Sequence, residues 1–231
     1  MRTERFVVDL AKIRLDAVFN PYADRCALSD RREAPAIRRA NLTEYMRAAK
    51  GTVTSIWFGR DLGYRGGRRT GLALTDEQHL DAFSARYGGI AVTQATKGPP
   101  IGERTASVVW SILRRLADPP FLWNVFPFHP HEPDNPMSNR CHTAIERRRC
   151  APLVGALLDW LQPATIVAIG NDAHKALSEL GYKCSYVRHP SYGGQADFLR
   201  GITEIYGLPR DAPRPGAADL TLSPAVSRGS P

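Results

Sequence analysis

The chain has 231 residues, of which 43% are hydrophobic and 23% charged, a composition that supports one sizeable core and excludes a collagen-like, coiled-coil or wholly disordered chain. No apolar run reaches the roughly 18 to 20 residues of a membrane span, and the N-terminus, MRTERFVVDL, lacks a signal peptide's apolar stretch. A soluble, cytoplasmic protein without a membrane partner is expected.

Lys+Arg 31 against Asp+Glu 23 gives a net charge of +8, and all but five of the basic residues are arginine. The arginines cluster at Arg31–Arg32, Arg38–Arg39, Arg65 with Arg68 and Arg69, Arg114–Arg115, and Arg147 to Arg149. Guanidinium forks suit phosphate, and a basic surface gains affinity for nucleic acid by releasing its counterions. Arginine-rich codon usage produces the same bias, so charge alone does not name the partner.

Residues 1–50 read as helical and basic, with Pro21 and Pro35 as breaks. The β-branched and aromatic run Thr52 to Phe58 predicts a buried strand. A loop with five glycines, Gly59 to Gly71, follows it and permits close backbone approach to a ligand. Thr75-Asp76-Glu77 begins a helix to about Tyr87, and Thr105 to Leu116 is an amphipathic helix. Phe121 to Phe126 is a second strand, entering a proline- and histidine-rich loop. Thr143 to Leu161 predicts a long helix interrupted at Pro152. Thr165 to Gly170 is a third strand, with Asn171 or Asp172 capping the next helix and Gly181 closing it. Lys183 to Arg188 is a fourth strand, running into His189-Pro190-Ser191. The segment 208–231 is rich in Pro, Gly, Ala and Ser and reads as a disordered tail behind a catalytic domain over 1–207.

Alternating strands and helices predict an α/β fold, a three-layer α/β/α sandwich on a four-stranded, mainly parallel sheet. Ligands bind beyond the carboxyl ends of such strands. Three polar motifs fall there: Gly59-Arg60-Asp61, Asn124, and His189-Pro190-Ser191. The four cysteines, Cys26, Cys141, Cys150 and Cys184, form no C-x-x-C pair and read as unpaired, mostly buried thiols.

These motifs resemble those of the uracil-DNA glycosylase superfamily. Gly59-Arg60-Asp61-Leu62-Gly63 and Gly71-Leu72-Ala73-Leu74-Thr75 are similar to the two halves of the first family-one motif, at the same spacing. Asn124, Asn139-Arg140, Cys150 and Ile166 to Gly170 are more similar to the iron–sulfur families four and five. His189-Pro190-Ser191 resembles the second superfamily motif.

The resemblance implies a monomeric DNA repair enzyme that flips uracil from single- or double-stranded DNA and hydrolyses its N-glycosidic bond. Asp61 would orient the attacking water, and His189 would hydrogen-bond the departing base. Asn124 would read the uracil edge, with Gly59, Arg60, Gly63, Leu74 and Phe126 around the base. Ser191, Tyr192, Gln195, Arg65, Arg68 and Arg69 would contact DNA. The chain departs from the family at several positions. Gly63 stands where family one has the tyrosine that bars thymine, and Leu74 where it has the stacking phenylalanine, leaving Phe126 or Phe58 to substitute. Gly193 stands where the DNA-wedging leucine is found, leaving Tyr192 or Gln195. Of the cluster cysteines only Cys150 matches, Phe128 replacing another, so neither an iron–sulfur cluster nor another cofactor is expected. Two other readings compete: a metal-dependent hydrolase or nuclease built on His129, His131, Glu132, Asp134, Cys141 and His142, and a catalytically inactive nucleic-acid-binding relative.

Overall fold

The computed structural model describes residues 1–209. In chain order the elements are α1 (Thr3–Lys12), β1 (Val18–Phe19), α2 (Ala34–Ala49), β2 (Ser55–Gly59), α3 (Gly67–Thr70), a 3-10 turn (Glu77–His79), α4 (Leu80–Arg86), α5 (Arg104–Leu113), β3 (Phe121–Asn124), β4 (His129–Pro130), α6 (Ala144–Leu161), β5 (Thr165–Ile169), α7 (Asn171–Glu179), β6 (Ser185–Val187) and α8 (Gln195–Tyr206). The main sheet has the order β3-β2-β5-β6, and every pairing in it is parallel. Every residue of β2 is buried, because helices cover both faces of a parallel sheet. Chain direction across the sheet reverses between β2 and β5, which opens a crevice at their carboxyl ends.

Aromatic residues fix the two outer layers. Trp57 of β2 donates its indole N–H to Tyr206 of α8 (2.7 Å) and meets Phe198 edge-to-face. Against edge strand β3, Tyr45 of α2 stacks on Phe121 at 4.5 Å. Its hydroxyl also accepts the Leu122 N–H at 2.6 Å, which satisfies a backbone donor left over at a sheet edge. The register pairs Gly59 with Asn124 at the ends of β2 and β3, so both face the same side of the sheet.

Several sequence expectations are corrected. Residues 13–33 are not helical, and Pro35 lies in the first turn of α2 rather than breaking a helix, since its ring is preorganised for a helix start. The helix α6 runs through Pro152, beginning in a full capping box between Thr143 and Glu146. The N-cap of α7 is Gly170, with no side-chain cap bond; Asp172 instead turns to Arg60. A small antiparallel pair, Val18–Phe19 with His129–Pro130, ties the proline-rich loop to the N-terminal segment. Of the expected tail, Leu208 donates its N–H to the Thr203 carbonyl and Pro209 accepts from Arg115; the remainder lies outside the described residues.

The N-terminal segment is held by a buried ion pair. Arg38 donates to Asp30 at 2.6 Å and to the Arg69 carbonyl at 2.8 Å, with both charged side chains 1% exposed. Removing one partner strands the other charge in the core, which costs about 3 to 5 kcal/mol. Arg38→Ala is therefore expected to lower unfolding free energy by that amount in urea denaturation, with a smaller loss when Asp30→Asn is added.

Candidate active site

At the carboxyl end of β3, Asn124 is 1% exposed, and neither its amide oxygen nor its amide nitrogen has a hydrogen-bond partner among the described residues. A buried amide without a partner costs about 1 to 3 kcal/mol, and this one has both its acceptor and its donors open to a ligand. Gly59 leaves it room: a methyl group there would overlap Asn124 Oδ1 and touch Leu74. Leu74 itself has φ +54°, a left-handed conformation that a branched side chain adopts at some cost. A narrow crevice lined by Tyr22, Leu62, Ala73, Trp123 and Pro127 runs past Asn124.

The loop after β2 carries Asp61, whose side chain is 9% exposed. Its Oδ2 accepts from Arg60 Nε at 2.8 Å and from His142 Nδ1 at 3.3 Å. Arg60 reaches on to Asp172 at the start of α7 (3.3 Å) and to Cys141 Sγ (3.0 Å). The β2 loop is thus bound to the β5 end of the sheet. Phe126 donates its N–H to the Arg60 carbonyl; its buried ring lies 5.1 Å from His142 and 5.5 Å from Phe128. Phe58 is buried within β2. The Asn139-Arg140 pair closes this side: Asn139 Oδ1 accepts the Tyr64 N–H, and Arg140 grips Glu146 through two nitrogens.

His189 follows β6. Its Nδ1 lies 2.7 Å from Ser191 Oγ and accepts the Ser191 backbone N–H at 3.2 Å. An amide N–H can only donate, so the imidazole carries its proton on Nε2. Burial, and then the Arg60 charge, lower its pKa from 6.5, and the ring is a neutral Nε2–H donor at neutral pH. The Ser191 hydroxyl, expected on a phosphate, is bonded to His189 here. Beyond it, Tyr192 is 96% exposed with φ +50°, and exposed Gln195 opens α8. Arg188, which the sequence did not single out, is exposed and donates to the Tyr192 carbonyl.

The arginine loop divides. Arg65 is exposed and donates to the Gly102 carbonyl. Arg68 and Arg69 are buried, which corrects their assignment to DNA. Arg68 lies over the Phe19 ring at 4.0 Å, and Arg69 pairs with Glu77 and Thr96. They hold the loop from within and present no surface to a phosphate.

The histidines of the competing metal reading are bonded elsewhere. His129 bonds the Ser138 carbonyl, His131 the Glu132 carbonyl, and His142 the Asp61 carboxylate. Among the described residues no group of three or more His, Cys, Asp or Glu side chains is placed to hold a metal ion. The single matched cysteine, Cys150, is buried inside α6, so the residues present do not fit an iron–sulfur cluster.

A second carboxyl beside the site was not legible in the sequence. Glu103 lies flush against Gly63 and Gly66, where any side chain would overlap its carboxyl oxygens. Burial pushes its pKa up to about 7, with the Asp76 charge and then Asp61 adding to the shift. A carboxyl raised from 4.5 to about 7 costs nothing below the lower value, and stability is lost as pH rises through the upper one. Glu103→Gln is expected to unfold like wild type near the lower value and to be more stable above the upper one, in urea titrations across pH.

No protein-family model matches this chain, and no curated protein matches it by sequence. Among solved structures, the chain is similar to SMUG2 from Pedobacter heparinus, with a TM-score of 0.61 and 11% identity, covering 90% of this chain and 97% of that one. The chain therefore has the fold of SMUG2, a member of the uracil-DNA glycosylase superfamily that its motifs resemble.

Proposed function

We propose that this protein is a monofunctional, metal-independent DNA glycosylase that removes uracil and leaves an abasic site. The observation that carries the reading is the buried amide of Asn124, without a hydrogen-bond partner among the described residues, at the same carboxyl edge of the parallel sheet from which the Asp61 loop and the neutral His189 imidazole follow. An amide offers one acceptor and two donors, which pair with the N3–H and O4 of uracil; cytosine presents the opposite pattern. A flipped base meets such an amide without competing water.

The chemistry follows from the remaining groups. The N1–C1′ bond breaks and its electron pair leaves with the base, where the His189 Nε2–H stabilises the charge gathering on O2. Water held by Asp61 bonds to C1′, and its proton passes to the carboxylate. The anionic base then takes a proton from solvent. The loops 59–76, 124–143 and 188–194 contain no lysine, so they offer no amine for the Schiff base that lyase chemistry needs. Exposed Arg65 and Arg188 suit the flanking phosphates, and Tyr192 suits the gap left by the base.

A labelled oligonucleotide with one uracil, single-stranded or paired with guanine and incubated in EDTA, is expected to break only after alkali. Asp61→Asn should lower the single-turnover rate about 10²- to 10⁴-fold, and Asn124→Ala should lower it while leaving undamaged DNA bound as before. Strand cleavage without alkali, or equal rates in wild type and Asp61→Asn, would contradict the proposal.

A further inference from the structure

Asp61 is held asymmetrically. Both of its donors, Arg60 Nε and His142 Nδ1, act on Oδ2, and Oδ1 receives no hydrogen bond from the described residues. The two donors differ in their surroundings. Arg60 is one-third exposed and divides its guanidinium among Asp61, Asp172 and Cys141, so water competes for it. The His142 side chain is 3% exposed.

The backbone on both sides of His142 is anchored. Arg140 is clamped on Glu146, the Ala17 carbonyl and the His131 carbonyl. Thr143 forms the capping box of α6, donating its N–H to Glu146 at 2.6 Å. The imidazole then lies against Phe126, whose own N–H is tied to the Arg60 carbonyl. Ring position, backbone and partner are all fixed by the native packing. A carboxylate oxygen only accepts, so Nδ1 carries a proton in this contact.

We propose that His142 is a positioning residue of the reaction: by donating Nδ1–H to Asp61 Oδ2 it locks the carboxylate so that Oδ1 alone faces the nucleophilic water. This rests on the uracil-excision reading of the site. The role differs from that of a metal ligand, because it uses the nitrogen turned to Asp61 and needs no ion. It also differs from a packing role, because a ring without the N–H fills the same space and leaves Asp61 Oδ2 to Arg60 alone.

Three variants separate these roles. His142→Phe keeps the ring against Phe126 and removes the donor; His142→Asn restores an N–H near the Nδ1 position. In single-turnover excision, His142→Phe should be slower by about 10- to 100-fold, with thermal midpoint and affinity for uracil-containing DNA close to wild type, and His142→Asn should recover most of the rate. His142→Phe at the wild-type rate, or His142→Asn no faster than His142→Phe, would overturn the proposal. An activity-independent arm follows the His142 imidazole by NMR. Its Nδ1–H signal should be present and protected from solvent exchange in wild type and should move in Asp61→Asn, and a wild-type ring with no Nδ1–H would overturn the contact itself. If wild type releases no uracil while this Nδ1–H signal behaves as expected, the substrate reading fails and the Asp61–His142 pairing stands.

Discussion

The structure turns on one unpaired polar group. Asn124 ends a parallel strand inside the protein with no hydrogen-bond partner for its amide among the described residues, and the surrounding sequence leaves room for it. Gly59 sits opposite it in register and supplies no side chain to crowd or satisfy it. Leu74, held in a left-handed conformation, covers Gly59. The cost of an orphaned amide, about 1 to 3 kcal/mol, is offset by the aromatic packing beneath it, where Tyr45, Phe121, Trp123 and Phe6 form a continuous contact.

Around that amide the charges are sorted by environment. Asp61 is bonded through Oδ2 to Arg60 and His142. Glu103, packed against two glycines with no hydrogen-bonded partner on its carboxyl among the described residues, is pushed up to about 7. His189 is held neutral by burial, with its proton directed to Nε2 by the Ser191 N–H. A carboxylate and a neutral imidazole donor are the pair that the proposed glycosidic hydrolysis would use. The arginines are sorted in the same way. Arg38, Arg68, Arg69 and Arg140 brace the loops from inside, while Arg65 and Arg188 face outward beside the site.

Much of this frame was legible in the sequence because its signals are local. The strand runs, the helix starts near Asp76 and Thr143 and the glycine-rich turn each follow from a few adjacent residues, and Arg60 ties the loop of the first motif to the loop that follows Asn124. What stayed hidden depends on distant partners. His142 meets Asp61 across 81 positions, so it was visible only as one member of a histidine-rich loop. Arg68 and Arg69 read as a basic patch because nothing in their own segment shows that Phe19, Glu77 and Thr96 enclose them. The start of α7 misled for a related reason: Asp172 has the chemistry of a cap, but Arg60 lies within reach of it.

We propose that the Asn124 amide is unsatisfied in the free protein and open to the flipped base. The most direct test is the unfolding free energy of Asn124→Leu, a change of similar shape that replaces both polar atoms with carbon. If the amide is orphaned, the variant is more stable than wild type, by up to about 1 to 3 kcal/mol, and releases no uracil. A variant that is clearly less stable than wild type would mean that the amide is bonded within the folded protein, and would contradict the account.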